Sequence, residues 1–176
     1  MIETARLRLR RGTEADIPDL MAALNDWSVA QWLARPPYPY SEADARTFLA
    51  WSRSPEEPAP PKAYVVADRS SNRLLGVAGL EPLQAFAELG YWLSRAAQGH
   101  GYMREAVAGL LREDVARLPG SPTVYATTDP ENHRSQAVLL SSGFRRVSVE
   151  ARVQPTRRGA LSVARFELGS NTGNRG

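Results

Sequence analysis

Leu7 and Leu9 alternate with Arg6, Arg8 and Arg10, so the stretch Thr4 to Arg10 has the period of a half-buried strand. Thr13-Glu14-Ala15-Asp16 follows as a capping box, in which hydroxyl and carboxylate satisfy the free N–H groups of a helix start. Ile17, Leu20, Met21 and Leu24 then recur at helical spacing. A second short helix is expected over Val29 to Leu33, and Ser41-Glu42-Ala43-Asp44 caps a third that carries Phe48, Leu49 and Trp51. Pro36 to Tyr40 and Pro55 to Pro61 lack ladder donors and predict loops.

From Lys62 onward the pattern changes. Ala63 to Ala67, Leu74 to Leu80 and Ala87 to Leu93 are short apolar runs separated by turn residues, which predicts a meander of antiparallel strands. Ala106, Val107, Leu110, Leu111 and Val115 mark a long amphipathic helix ending near Pro119-Gly120. Thr123 to Thr127 reads as a strand. Asp129-Pro130 predicts a cap and first helical position for a helix that stops at Gly143, suited to a left-handed cap. Phe144 to Val153 and Leu161 to Leu168 predict a closing hairpin, and Gly169 to Gly176 has no apolar anchor and is expected to be a disordered tail. The expectation is one domain over residues 1–168, with no repeat and no linker.

The chain's 176 residues can bury roughly 70% of the unfolded surface, enough for a real core. A composition of 43% hydrophobic and 23% charged residues excludes collagen and intrinsic disorder. The apolar run Leu74 to Leu80 is far shorter than the about 20 residues a bilayer span needs, and the charged N-terminus is unlike a signal peptide. No membrane association is expected, and the implied location is cytoplasmic. Cysteine is absent, and His100 and His133 alone build no zinc site, so no metal is expected. The net charge is only +3, with arginines in doublets rather than a long basic stripe, which argues against nucleic acid as a partner.

Gln98-Gly99-His100-Gly101-Tyr102-Met103-Arg104 lies between an expected strand and an expected helix. A glycine turn there can aim backbone N–H groups and the positive helix end at an anion such as a pyrophosphate. No Gly-Lys-Ser/Thr follows, so it is no Walker loop, and the dinucleotide glycine spacing also fails. Asn132-His133-Arg134-Ser135 places polar groups at the start of a later helix that Gly143-Phe144 closes.

Taken in order with Thr4-Ala5-Arg6-Leu7-Arg8-Leu9-Arg10 and Glu88-Leu89-Gly90-Tyr91-Trp92-Leu93, these segments resemble the GNAT superfamily of acyl-CoA-dependent N-acetyltransferases, most closely its RimJ/RimL-type branch. The resemblance spans nearly the whole chain. It implies an α/β (mixed α+β) domain with a central, mostly antiparallel twisted sheet of about seven strands, flanked by helices and splayed at the acyl-CoA site. It also implies that acetyl-CoA is the co-substrate. Its pyrophosphate would lie on the amides of Gln98, Gly99, His100, Gly101, Tyr102 and Met103, and its pantetheine arm on free backbone at Trp92 and Leu93. The family has Gly or Ala where this chain has Met103, a departure that keeps the amide and adds bulk beside the phosphates. Asn132 matches the family Asn at the pantetheine, and Ser135 matches a position whose hydroxyl protonates the departing thiolate. Arg104 and Arg134 extend this set as possible phosphate contacts, although Arg134 reads first as a solvated surface arginine.

The reaction defines what else is needed. A neutral amine must attack a thioester, and the thiolate, with an intrinsic pKa of about 8.5, already leaves readily. A protein α-amine at about 7.7–8.0 asks less of a base than a lysine at about 10.4. Glu88 is the base candidate, with a solvent-facing strand carboxylate as the equally weighted alternative and a water chain as a substitute. Trp27, Trp32, Tyr38 and Tyr40 fall in the region expected over the acceptor, where aromatics also serve as core. The favoured acceptor is a protein N-terminus of the ribosomal-protein kind. A small amine such as an aminoglycoside or polyamine is the nearest alternative, followed by a non-catalytic acyl-CoA-binding module and, last, a nucleic-acid binder. Either a monomer or a homodimer fits the sequence.

Overall fold

The structure is a computed structural model that describes residues 1–53, 60–83, 86–118, 123–151 and 156–169. Most of the Pro55 to Pro61 loop, the helix end at Pro119-Gly120, the end of the strand expected to reach Val153, and the tail beyond Gly169 lie outside the described residues. In chain order the elements are β1 (Ile2–Glu3), β2 (Leu7–Arg10), α1 (Ile17–Leu24), α2 (Trp27–Ala30), α3 (Glu42–Ser52), β3 (Tyr64–Asp68), β4 (Leu74–Leu83), β5 (Phe86–Leu93), α4 (Tyr102–Asp114), β6 (Thr123–Thr128), α5 (His133–Ser141), β7 (Phe144–Ala151) and β8 (Ser162–Leu168).

The strands form one sheet of eight in the order β1-β2-β3-β4-β5-β6-β8-β7. Every neighbouring pair is antiparallel except β5 and β6. Strand alternation divides the core in two. On one face Leu7, Leu9, Val66, Ala78, Leu80, Ala87 and Leu89 meet Val107 and Leu110 of α4 and Leu139 of α5. On the other, Val65, Ala67 and Val77 meet Ile17, Leu20 and Leu24 of α1 and Leu49 of α3. Val65 and Val66 therefore serve different cores, as a period of two requires.

Several boundaries differ from expectation, and hydrogen bonds account for three of them. The strand expected over Thr4 to Arg10 begins only at Leu7, with a further short strand before it at Ile2–Glu3, and Thr4 to Arg6 form the turn between them, bound to Glu105: Thr4 Oγ1 donates to Oε1 at 2.6 Å, Arg6 N to Oε1 at 2.8 Å and Arg6 Nε to Oε2 at 2.7 Å. The short second helix spans Trp27–Ala30 rather than Val29 to Leu33, since Asp26 Oδ1 accepts from Ser28 N and caps it. The last helix starts at His133, not at Pro130. Asn132 is its cap, accepting from Ser135 N at 3.1 Å, while Asp129 Oδ1 accepts from Glu131 N and builds the turn before it.

The Thr13 box holds as expected, with Thr13 N donating to Asp16 Oδ2. Asp16 also takes both terminal nitrogens of Arg10, at 2.8 and 2.7 Å. Burial works against this carboxylate, yet hydrogen bonds from Arg10 and Thr13 hold its pKa below the usual range. The fork ties β2 to the start of α1 and so fixes the helical layer over the sheet. No helix among the described residues is long and apolar enough to cross a membrane.

Candidate active site

The parallel pair β5–β6 shares a short register, with Phe86, Ala87 and Glu88 opposite Thr123, Val124 and Tyr125. Beyond Glu88 the strands part, while β5 continues along β4 to Leu93. The backbone edge of β5 from Leu89 to Leu93 is thus free of β6, as expected for splayed strands. A cleft of about 1470 Å³ opens there and runs from the Gln98–Arg104 turn past Trp92 to Glu88.

The glycine turn is built for backbone contacts. Gln98 Nε2 donates to Leu93 O at 3.2 Å, which anchors the turn on the end of β5. Gly99 has φ +85° and Gly101 φ +75°, in the left-handed region where glycine carries no Cβ penalty. Gly101 caps α4 without a side-chain hydrogen bond, so the first amides of α4 stay free for an anion. Gln98, Gly99, Gly101, Tyr102, Met103 and Arg104 all border the cleft. Met103 itself is 4% exposed and packed in the core under α4. Arg134 donates to Gln98 Oε1 at 3.0 Å and braces the turn.

His100 can contribute only backbone to the turn. Its side chain is exposed outside the cleft and stacks on Tyr102 with ring centroids 5.6 Å apart, while its carbonyl accepts from Arg6 at 2.9 Å. Only its amide remains available to an anion.

Asn132 and Ser135 lie across the cleft from β5 at the start of α5. Ser135 Oγ is 3.0 Å from the Tyr91 hydroxyl, which also donates to Ser135 O at 3.0 Å. Burial pushes the Tyr91 phenol well above its ordinary pKa, so it keeps its proton through the neutral range. Tyr91 stands inside the motif read from sequence, but its contact with Ser135 follows from a helix and a strand meeting 44 residues apart.

Glu88 occupies the opposite face of β5 from Tyr91. Its Oε2 accepts from Arg35 Nη2 at 2.6 Å and its Oε1 from Thr127 Oγ1 at 3.3 Å. Glu81, directly across the β4–β5 ladder, binds the other terminal nitrogen of Arg35. The expected strand stopped at Leu80, and neither Glu81 nor Arg35 was legible as part of the site.

The acceptor aromatics separate. Trp32 borders the cleft with the Arg158 guanidinium 4.1 Å over its ring. Tyr40 forms part of the wall but is 4% exposed among the α1–α3 core, and burial pushes its phenol up to about 12. Tyr38 and Trp27 do not border the cleft; they form an exposed pair with ring centroids 5.3 Å apart. Among the described residues, no group of three or more His, Asp or Glu side chains is placed to hold a metal.

The model of the acetyltransferase (GNAT) domain matches residues 6–145, which takes in β2, the glycine turn and α5. The chain belongs to the GNAT acetyltransferases. It is accordingly an acyl-CoA-dependent N-acetyltransferase, and its cleft offers the free amides and unpaired strand edge that acetyl-CoA needs. An acetyltransferase of this family from Bacillus anthracis matches at 20% identity and TM-score 0.80, covering 95% of this chain and 96% of that one. RimL, a ribosomal L7/L12 α-N-protein acetyltransferase in complex with coenzyme A, matches at 22% and 0.73, covering 93% and 94%. A spermidine N-acetyltransferase chimera from Vibrio cholerae and a human enzyme matches at 16% and 0.68, covering 93% and 95%. At these identities the three likenesses carry the fold alone. No curated protein sequence matches the chain.

Proposed function

We propose that this GNAT enzyme moves the acetyl group of acetyl-CoA directly to a primary amine in a ternary complex, with a protein N-terminal α-amine as the acceptor. The observation that carries the reading is the single cleft joining the glycine turn to Glu88 through the parting of β5 and β6. Donor and acceptor can enter it from opposite ends and meet at the splay, so no covalent enzyme intermediate is needed. Cysteine is absent from the chain, consistent with direct attack.

The roles follow from position. Free amides at Gly99, His100, Gly101, Tyr102 and Met103 take the pyrophosphate, whereas the expected Gln98 amide donates to Arg95 O at 3.2 Å and shapes the turn instead; Arg104 lies beside them, and the edge at Trp92 and Leu93 holds the pantetheine with Asn132. Glu88 takes a proton from the bound ammonium, and the neutral amine so formed attacks the thioester. Ser135 hands a proton toward the sulfur, with the Tyr91 phenol as the hydrogen-bonded group behind it. An α-amine near 7.7–8.0 is already partly neutral near pH 7, so it asks less of a base than a lysine does. The breadth of the cleft and its Trp32 wall favour an extended peptide end.

A small cationic amine is the second reading, favoured by the paired carboxylates Glu81 and Glu88. Mass spectrometry decides between them with a peptide bearing both an α-amine and a lysine, run beside spermidine. The acetyl group is expected on the α-nitrogen. Modification of spermidine alone would overturn the acceptor assignment, and no acetyl product on either would overturn the proposed catalytic use of the cleft.

A further inference from the structure

Glu81 and Glu88 stand directly opposite each other on β4 and β5, on the same face of the sheet. Like charges so placed repel, and the pair needs a cation between or above it. Arg35 supplies one, with one terminal nitrogen on each carboxylate. The carboxylates are sheltered at 22% and 21% exposure, whereas the arginine side chain is 60% exposed. The cation therefore reaches in from the rim, over a sheet face that Gly79 and Gly90, the next directly opposed pair, leave without side chains.

The backbone around Arg35 is held independently. Arg157 donates to Ala30 O at 2.7 Å and to Pro36 O, which brackets the segment carrying Arg35. Removing the guanidinium from the carboxylates requires rotation of one side chain, not movement of the loop. An ion pair this exposed contributes little, so another cation can replace it.

We propose that Arg35 is an internal stand-in for the acceptor cation: it occupies the Glu81–Glu88 pair while the acceptor end of the cleft is empty, and an incoming ammonium displaces it. The inference rests on the reading of this cleft as the acceptor site. It makes Arg35 a specificity-determining residue that sets how strongly an amine must bind to enter. Among the described residues, the other charged and titratable groups near the pair are Tyr125 on β6 and Arg165 on β8, whose guanidinium lies 4.3 Å over the Tyr125 ring. Arg165 is thus engaged with Tyr125 and Glu167, leaving Arg35 as the cation held on both carboxylates.

The test is calorimetric binding of the tetra-alanine amide, which carries one α-ammonium, to the CoA-saturated protein, with its N-acetylated form as the neutral control. Arg35→Met is expected to bind the free-amine peptide about five- to tenfold more tightly than wild type, because the site no longer has to be vacated. The acetylated peptide is expected to bind both proteins alike, and Arg35→Lys to fall between them. Equal or weaker binding of the free-amine peptide by Arg35→Met overturns the proposal, as does equal tightening for the acetylated peptide. Failure of either protein to bind the free-amine peptide overturns it too. Turnover is measured separately, so a wild type that binds the peptide yet transfers no acetyl group contradicts the proposed function and leaves the Arg35 comparison standing.

Discussion

Gly90→Val should make the protein more stable and the enzyme worse. Gly76 and Gly79 on β4 are required by close backbone approach, since an added Cβ would lie 2.1 Å from Trp92 O and Lys62 O respectively. Gly90 has no such reason. It has no left-handed φ, and an added Cβ would meet nothing within 4 Å. A glycine in a strand interior costs about 0.5–1 kcal/mol against alanine, and a β-branched residue does better still, so the substitution is expected to stabilise by about 1 kcal/mol. For a chain of this length that raises the unfolding midpoint by about 2–4 °C. The open space at Gly90 is the floor of the cleft between Glu88 and Trp92, and a valine there displaces whatever passes between them. A displacement of the reacting groups by about 1 Å costs on the order of 100-fold in kcat/KM. Thermal unfolding and steady-state CoA-thiol release, read on the same preparation, give both signs. Full activity in a stabilised variant would remove the face of β5 from the substrate path, and a lowered midpoint would refute the account of the β5 backbone.

Further outcomes follow from the buried groups. Asp16→Asn is expected to cost about 2–4 kcal/mol in urea unfolding at pH 7, because it breaks the Arg10 fork. As the folded-state pKa of Asp16 is lowered, its stabilisation is present above the unfolded value near 4 and is lost as pH falls through the lower folded value, so the variant and wild type should converge in acid. Asp114 is 1% exposed, and its Oδ1 has no hydrogen-bond partner; burial raises its pKa, with Tyr64 and Arg117 pulling the other way. Asp114→Asn should therefore stabilise by about 1 kcal/mol at neutral pH, a gain that disappears as pH falls below the folded pKa and the native carboxyl protonates; denaturant titrations at two pH values check this. Ser135→Ala should lower kcat by no more than about 100-fold, since the thiolate leaves readily unaided, and an unchanged single-turnover rate would remove it as the acid.

The strands that frame the cleft were legible because alternation survives in the sequence: Val65 and Val66, or Glu88 and Leu89, declare opposite faces without tertiary information. The glycine turn alone reads as ordinary turn chemistry; its place between a strand and a helix, together with Asn132-His133-Arg134-Ser135 and the Glu88 to Leu93 strand, gave it meaning. What stayed hidden depended on distant partners. Glu105 draws Thr4 and Arg6 off the first strand, and nothing near Thr4 announces it. Asp129-Pro130 and Asn132 both offer a helix start, and the choice falls to Asn132 because its side chain reaches Ser135 N while Asp129 closes the preceding turn. The Glu81–Glu88–Arg35 group needs the β4–β5 register and the path of the loop after α2, neither of which a local pattern contains. Tyr38 shows the converse, since a residue beside a functional segment in sequence has its side chain outside the cleft.

The most direct test of the account is CoA-thiol release from acetyl-CoA with a peptide whose N-terminus is free, compared with the same peptide N-acetylated and with spermidine. The account predicts release that depends on the free α-amine, absent with the blocked peptide and with a higher kcat/KM than spermidine gives. Release that is the same for the free and blocked peptides, or absent with every amine, would contradict it.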